Sequence, residues 1–219
     1  MIVFVIAMES EARPVIDKMQ NAVESVVHER KVVRGKLNGK DTAVIVCGVG
    51  KTNAAAGTQY AIDCLGADKI INVGFAGGLN GGTEVGNVYC ISGAAQYDFD
   101  LAAINGTSVG TLNEYSEPFM ELAACALYPA RKLATGDRFN DSIADFEFLT
   151  GTLGTDIRDM EGGAVAHVCK RANVPCYSFK VISDVAGSGS TTEQFLQNIA
   201  LCAKVLGENI TDIFEAVNG

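Results

Sequence analysis

Short runs of Val, Ile and other apolar residues alternate along this chain with segments whose apolar residues recur at helical spacing. The strand-like runs cover residues 2–7, 32–37, 42–47, 70–74, 87–92 and 177–183. Several of them are apolar throughout, which is typical of strands that are covered on both faces. Their alternation with helical segments predicts an α/β fold in three layers, with a central sheet flanked by helices.

The helical segments are residues 10–19, 52–65, 161–172 and 192–217. Asn38 and Gly39 lie between the second and third strand-like runs, and an Asn-Gly pair favours a two-residue hairpin turn. The sheet is therefore expected to be mixed. Residues 97–118 are polar and rich in turn formers, which suggests a loop or lid over a site. At 219 residues we expect one domain over 1–219.

Composition and charge restrict the class of partner. The net charge of −9 and the lack of a dense Lys/Arg run argue against binding to a nucleic-acid backbone. The apolar residues 1–8 lack a basic leader and predict a buried strand, and no run approaches the roughly 20 apolar residues that span a bilayer. We therefore expect no membrane partner. An apolar content of 48% without tryptophan suits a subunit that buries one face in a homodimer.

Cysteine and histidine usage argues against disulfides and metals. The seven cysteines are scattered and form no C-x-x-C pair, which predicts small buried thiols in a reducing cytoplasm. With only two histidines, a histidine-rich metal site is excluded, and we expect no metal.

Three carboxylates border strand ends or helix starts. Glu11, Glu161 and Asp184 each follow or open such an element. In open α/β sheets, ligands bind beyond the carboxyl ends of the strands, where these acids can converge. Cleavage of a bond between a sugar and its leaving group uses carboxylates as acid and base, so the pattern favours a hydrolase of glycosidic bonds. A structural alternative stays open, because acids are favourable at helix N-termini and Asp can cap a turn.

Two glycine-rich segments resemble phosphate-binding motifs only in part. Residues 48–52, Gly-Val-Gly-Lys-Thr, look like the end of a P-loop, but Ile45 stands where that motif needs its first glycine. This disfavours hydrolysis of nucleoside triphosphates and suggests a tight turn or a close approach to a ligand. Residues 74–82 do not match G-x-G-x-x-G; they predict either a simple connection or backbone N–H groups that bind an anion or a sugar oxygen.

Considered together and in order, the motifs resemble the 5'-methylthioadenosine/S-adenosylhomocysteine nucleosidases of the purine nucleoside phosphorylase superfamily. The matching segments are 7–11 (AMESE), 48–51 (GVGK), 71–79 (INVGFAGGL), 135–139 (TGDRF), 159–161 (DME), 166–169 (AHVC) and 182–186 (ISDVA). The resemblance implies a nucleoside phosphorylase-like fold, a dimer, and cleavage of an adenine nucleoside by water without a cofactor.

The resemblance also implies roles at matching positions. Asp184 would protonate purine N7, and Glu11 would deprotonate the attacking water. Glu161 would hold the ribose hydroxyls, with Met160 packed beneath the sugar. These roles require that the pKa of Asp184 be raised towards neutrality and that Glu11 stay ionised.

Further residues would line the base and the 5' end of the substrate. Phe139 would stack on the base, whose edge the backbone of Asn140 would contact. Leu101 and Ile104 match the apolar wall around the 5' substituent, and Val49 is a further expected substrate contact.

The chain departs from the family pattern at several of these positions. Phe75 stands where most members have serine, and Lys180 where they have arginine; both positions lie near the water and sugar, so both are expected substrate contacts. Lys180 keeps the charge but lacks the planar fork of donors. Phe75 would fill space that phosphorylases give to phosphate, which favours hydrolysis. Thr192 replaces a phenylalanine that closes the 5' pocket, and Arg138 beside the base-stacking position is unusual.

These departures leave alternatives to a methylthioadenosine-type hydrolase. They are a phosphate-dependent phosphorylase, a futalosine-type nucleosidase with a different 5' group, and a nucleoside-binding protein without turnover.

Overall fold

The computed structural model describes residues 1–79 and 82–219. Its strands are β1 Ile2–Ile6, β2 Gln20–Val27, β3 Arg30–Leu37, β4 Lys40–Val46, β5 Lys69–Gly78, β6 Val88–Gln96, β7 Met120–Glu121, β8 Ala130–Thr135, β9 Ile157–Asp159 and β10 Cys176–Val185. Its helices are α1 Glu9–Ile16, α2 Lys51–Leu65, α3 Ala102–Asn105, α4 Ile143–Glu147, α5 Gly162–Ala172 and α6 Thr191–Asn218, with a π-helical turn at Phe148–Thr152.

The described strands form one mixed sheet in the order β10-β6-β8-β9-β5-β1-β4-β3-β2, with β7 beside β6. Because β10 also pairs with β5, this end of the sheet curls into a closed ring. Strand β5 pairs with β1 as far as Asn72 and with β9 from Gly77. The change of partner along β5 opens a crevice at the carboxyl ends of β1, β5 and β10, the kind of place where α/β sheets bind ligands.

Both faces of the central strands are buried, as the continuous apolar runs predicted. Along β1, Phe4 faces the layer of α1 and α6, where its ring stacks on Phe214 at 6.3 Å. Val3 and Val5 face the opposite layer, which contains α2 and α5. Alternate residues of one strand thus enter two cores, which confirms the predicted α/β fold with helices on both sides.

The predicted hairpin is confirmed. Strands β3 and β4 pair antiparallel up to Leu37 and Lys40. Between them Asn38 and Gly39 have φ of 48° and 77°, the two positive values that a type I′ turn requires.

The remaining strands were not predicted, for physical reasons that differ among them. Strand β2 is an edge strand that is exposed almost throughout and so shows no apolar pattern. Strands β7 and β9 have two and three residues, too few to show a period. Strand β8 begins with Ala-Arg-Lys, and only its second half is buried.

The second glycine-rich segment also differs from expectation. Residues up to Gly78 continue strand β5 instead of forming a loop. Asn80 and Gly81 of this segment lie outside the described residues. The predicted lid, residues 97–118, contains the short helix α3, which buries no side chain; its role as a lid stays a prediction. Over the described ranges, the helices include none with the length and apolar character that a bilayer crossing requires.

Candidate active site

A cavity of about 360 Å³ occupies the crevice at the carboxyl ends of β1, β5 and β10. Seven of the residues expected at the site line this cavity: Glu11, Val49, Phe75, Phe139, Met160, Glu161 and Asp184. The three carboxylates that lie far apart in the sequence are therefore brought to one pocket.

Asp184 is placed by an irregularity in β10. The register with β5 shifts between Ile182 and Asp184, and such a bulge redirects a side chain. Its Oδ1 accepts a hydrogen bond from the Ser183 hydroxyl at 2.7 Å. Its Oδ2 is the single buried side-chain nitrogen or oxygen atom without a hydrogen-bond partner in the described part of the chain. Burial raises the pKa of Asp184, which the Ser183 hydrogen bond and the charge of Arg158 partly oppose.

Glu11 is held by the backbone on both sides. Its Oε1 accepts from the N–H of Phe75 at 2.7 Å, and its Oε2 accepts from the N–H of Met8 at 2.9 Å. The bond to Met8 closes the first turn of α1, so Glu11 serves the helix start as well as facing the cavity. Burial raises its pKa, while these hydrogen bonds and the charge of Lys180 act in the opposite direction. Each oxygen keeps a lone pair that can accept a proton from water.

Glu161 lies at the start of α5 and accepts a hydrogen bond from the N–H of Gly50 at 2.7 Å. Burial, with the neighbouring charge of Asp159, raises the pKa of Glu161 to about 8. The adjacent N–H of Lys51 donates to Asp137 at 2.8 Å. The amides at the start of α2, which a P-loop would offer to a phosphate, are thus bound to carboxylates of the same chain.

Lys180 does not line the cavity, in contrast to the expected substrate contact. Its Nζ lies 2.8 Å from Asp159 Oδ2, and both side chains are almost fully buried. Asp159 also accepts from the Thr135 hydroxyl at 2.5 Å and from the Gly162 N–H at 2.8 Å. Burial disfavours the charge of Lys180, but the surrounding acids outweigh it and raise the pKa. The lysine therefore pairs with Asp159, a residue of the cavity lining, instead of facing the cavity itself.

Phe139, which is expected to stack on the base, lies beside a second aromatic ring in the cavity wall. Phe139 is 48% exposed, and its ring meets that of Phe195 edge to face at 5.6 Å. Phe195, Thr192 and Leu196 line the cavity from the first turns of α6. Phe195 thus places a phenyl group one helical turn from Thr192, the position at which the family has a phenylalanine. The only sequence signal for Phe195 is its place in the helical segment 192–217, whose apolar spacing indicates packing and no contact with a ligand.

Besides Lys180, three further expected substrate contacts lie outside the cavity lining. The Asn140 side chain donates to Asp145 at 3.0 Å. Leu101 and Ile104 lie at and within α3, and the Ile104 side chain is 82% exposed. Conversely, Arg158 lines the cavity and was not expected there.

The fold is shared with the nucleosidases, and the family to which the chain belongs makes it an N-glycosyl hydrolase. The chain belongs to the phosphorylase superfamily, whose sequence profile matches residues 1–217, and within it to the 5'-methylthioadenosine/S-adenosylhomocysteine nucleosidases. It is 32% identical to the nucleosidase of that name from Arabidopsis thaliana, over all of this chain and 92% of the relative.

Solved structures support the fold. The 5'-methylthioadenosine/S-adenosylhomocysteine nucleosidase of Helicobacter pylori superposes with a TM-score of 0.89 at 23% identity, covering 98% of this chain and 97% of its own. The futalosine hydrolase of the same organism gives a TM-score of 0.90 at 22% identity, with coverages of 98% and 97%. Because two proteins with different names fit equally well, the backbone does not distinguish their substrates.

Proposed function

We propose that the protein hydrolyses the N-glycosidic bond of a 5'-modified adenine nucleoside, of the 5'-methylthioadenosine or S-adenosylhomocysteine type, and releases adenine. The observation that carries this proposal is the unpartnered, buried Oδ2 of Asp184 in a pocket that also contains Glu11 and Glu161. Relatives with this activity in their names, matched over 92% and 90% of their own length, support the choice of substrate.

Asp184 acts as the general acid. Burial favours its neutral form, so Oδ2 can carry a proton towards the cavity. Transfer of that proton to purine N7 lets the bond between C1' and N9 break with its electron pair on a neutral base. The Ser183 hydroxyl then stabilises the carboxylate that remains.

Glu11 acts as the general base on the attacking water. Its two backbone hydrogen bonds favour the ionised form against burial. The water loses its proton to Glu11 as its oxygen bonds to C1'. Glu161 binds the ribose hydroxyls, and positive charge developing on the sugar favours its ionised form despite the raised pKa. The acids thus stabilise the transition state more than the ground state.

Water is favoured over phosphate as the nucleophile. Phe75 lines the cavity with a side chain that is 7% exposed, and its N–H is already bound to Glu11. A phosphate placed there would meet a buried carboxylate instead of free donors, which is unfavourable in a poorly solvated pocket. This disfavours the phosphorylase alternative.

We also propose a cytoplasmic homodimer of single-domain subunits that acts in nucleoside catabolism and methionine salvage. The exposed Ile104 and the half-buried Leu101 would then meet a second copy and the 5' group of a substrate, the role that the family resemblance implies for them.

The test is release of adenine from 5'-methylthioadenosine and S-adenosylhomocysteine, with and without inorganic phosphate, with Asp184→Asn as control. We expect equal rates in both buffers and a free sugar as the second product. Release that depends on phosphate and yields a sugar phosphate would establish a phosphorylase. Turnover of futalosine alone would move the assignment to that substrate, and tight binding without base release would identify a binding protein.

A further inference from the structure

Arg158 and Asp184 converge over a glycine of the central strand. In β5, Gly77 pairs with Arg158 of β9 on one side and with Asp184 of β10 on the other. A Cβ on Gly77 would lie 2.8 Å from Asp184 Oδ2 and 3.3 Å from Arg158 Nε. The two side chains therefore share the space that a side chain at position 77 would fill, and glycine is needed there for room.

The charge of Arg158 is held at this place without an ion pair. The residue is 9% exposed and lines both the active-site cavity and a second cavity of about 240 Å³. Among residues 1–79 and 82–219, no carboxylate oxygen lies within 4.0 Å of its guanidinium nitrogens; the arginines that form ion pairs there are Arg13, Arg138 and Arg171. Its Nη2 donates a long hydrogen bond of 3.5 Å to the Thr191 hydroxyl, which itself donates to Asp141 at 2.6 Å. A buried cation without an ion-pair partner is costly, which points to a task in the site.

We infer that Arg158 is a positioning residue for the acid step, whose guanidinium stabilises the Asp184 carboxylate left behind when the proton moves to the leaving base. The inference rests on the proposed function. In that step the O–H bond at Asp184 Oδ2 breaks, its electron pair stays on the oxygen, and an N–H bond forms at N7. The product is a buried carboxylate with one hydrogen bond, and a nearby cation lowers the cost of forming it.

Several groups besides Arg158 face Asp184. The Ser183 hydroxyl lies on the same strand, Asp141 lies in the loop before α4, and the Cys202 thiol lies on α6. Asp141 raises the pKa of Asp184, whereas Ser183 and Arg158 lower it, and burial outweighs all of them. Removing the positive charge must therefore raise this pKa further and make Asp184 a weaker acid.

The first experiment is a ¹³C NMR titration of the Asp184 carboxyl group in the substrate-free protein, with its signal assigned by its loss in Asp184→Asn. The variants are Arg158→Met and Arg158→Lys, with Arg171→Met as a matched loss of one exposed charge far from the cavity. We expect an upward shift of the titration midpoint in Arg158→Met and wild-type midpoints in the other two. An unchanged midpoint in folded Arg158→Met overturns the inference. If Arg158→Met does not fold, the same titration is made with Arg158→Gln, which keeps a donor for Thr191. The same two outcomes then support or overturn the inference.

The second experiment is the pH profile of kcat with 5'-methylthioadenosine. We expect Arg158→Met to lower kcat about tenfold with little change in KM, and to move the alkaline limb, on which Asp184 loses its proton, to higher pH. Arg158→Lys should restore the wild-type limb. A lower rate without a shifted limb would indicate a merely structural role and overturn the inference. If the wild-type protein shows no turnover, the proposed function fails. The titration still tests whether Arg158 stabilises the Asp184 carboxylate, because it needs no substrate.

Discussion

At the scale of single residues, three similar carboxylates have three different surroundings. Asp184 has one bound and one free oxygen, Glu11 has both oxygens on backbone N–H groups, and Glu161 accepts from Gly50 beside a second acid. Burial pushes all three towards the neutral form, and hydrogen bonds to the charged form oppose it to different extents. These differences support an acid, a base and a sugar-binding group in one pocket.

Replacing Asp184 by Asn is expected to separate activity from stability. The amide cannot donate a transferable proton, so the rate of base release should fall by about 10²- to 10⁴-fold. Since Oδ2 has no partner, loss of the buried carboxyl should leave the free energy of unfolding equal or slightly higher. Initial rates with 5'-methylthioadenosine and urea unfolding at one pH measure the two quantities. A variant with near-wild-type turnover would rule out Asp184 as the acid.

The raised pKa of Glu161 predicts that the free energy of unfolding falls as pH rises. The pKa of Glu161 is raised from 4.5 to about 8 in the folded chain. Its contribution to the free energy of unfolding is therefore fully present below about pH 4.5 and is lost as pH rises through about 8. Glu11 and Asp184, also raised, act in the same direction. Urea unfolding at about pH 5 and pH 8 should show a smaller free energy at the higher pH, and Glu161→Gln should reduce the difference. If the difference in unfolding free energy between the two pH values is the same in Glu161→Gln as in the wild type, this pH dependence does not come from Glu161.

At the scale of elements, the site depends on an ion pair across the central strand. Asp159 on β9 and Lys180 on β10 lie on either side of β5 and meet at 2.8 Å with almost no exposure. The pair thereby joins two strands that do not hydrogen-bond to each other, and one of its members, Asp159, lines the pocket. Breaking it would leave one buried charge without its partner.

The single variants Lys180→Met and Asp159→Asn are expected to lose about 3–5 kcal/mol of unfolding free energy each, because each leaves one partner of the pair alone. The double variant should lose clearly less than the sum, because neither charge remains. Chemical unfolding of the four proteins gives the coupling energy, and exposed Lys204→Met is a matched control. Additive losses would show that the two residues do not act as a pair.

The elements also show why the sequence predicted part of the site and missed part. Glu11, Glu161 and Asp184 border apolar runs or helices, so periodicity alone places them at strand ends or helix starts. Arg158 lies in β9, a strand of three residues that no period can reveal. Lys180 was expected to touch the substrate because of its position in the family motif, but its direction depends on Asp159, which lies in the same unpredicted strand β9. Contacts made by short, irregular strands need the tertiary structure.

At the scale of the whole molecule, one group of expected substrate contacts stays outside the pocket. Helix α3 buries none of its residues, and Ile104 presents an exposed apolar side chain from it. A single exposed isoleucine is ordinary on a protein surface. The exposure of Ile104 is informative here because Leu101 and Ile104 are the positions that the family resemblance assigns to the wall around the 5' group. The proposed homodimer accounts for both facts if this helix meets a second copy.

Ile104→Asp tests that arrangement, because a charge placed in an apolar contact between copies would oppose association. We expect the wild-type protein to elute as a dimer in size-exclusion chromatography with light scattering, and the variant to shift towards the monomer. Its KM for 5'-methylthioadenosine should rise while the pH profile stays the same, since the acids are untouched. Val23→Asp, on the exposed edge strand β2, is the matched control and should remain dimeric with unchanged kinetics. A dimer lost in Val23→Asp and kept in Ile104→Asp would place the interface at the sheet edge, and Ile104 would then need another explanation for its exposure.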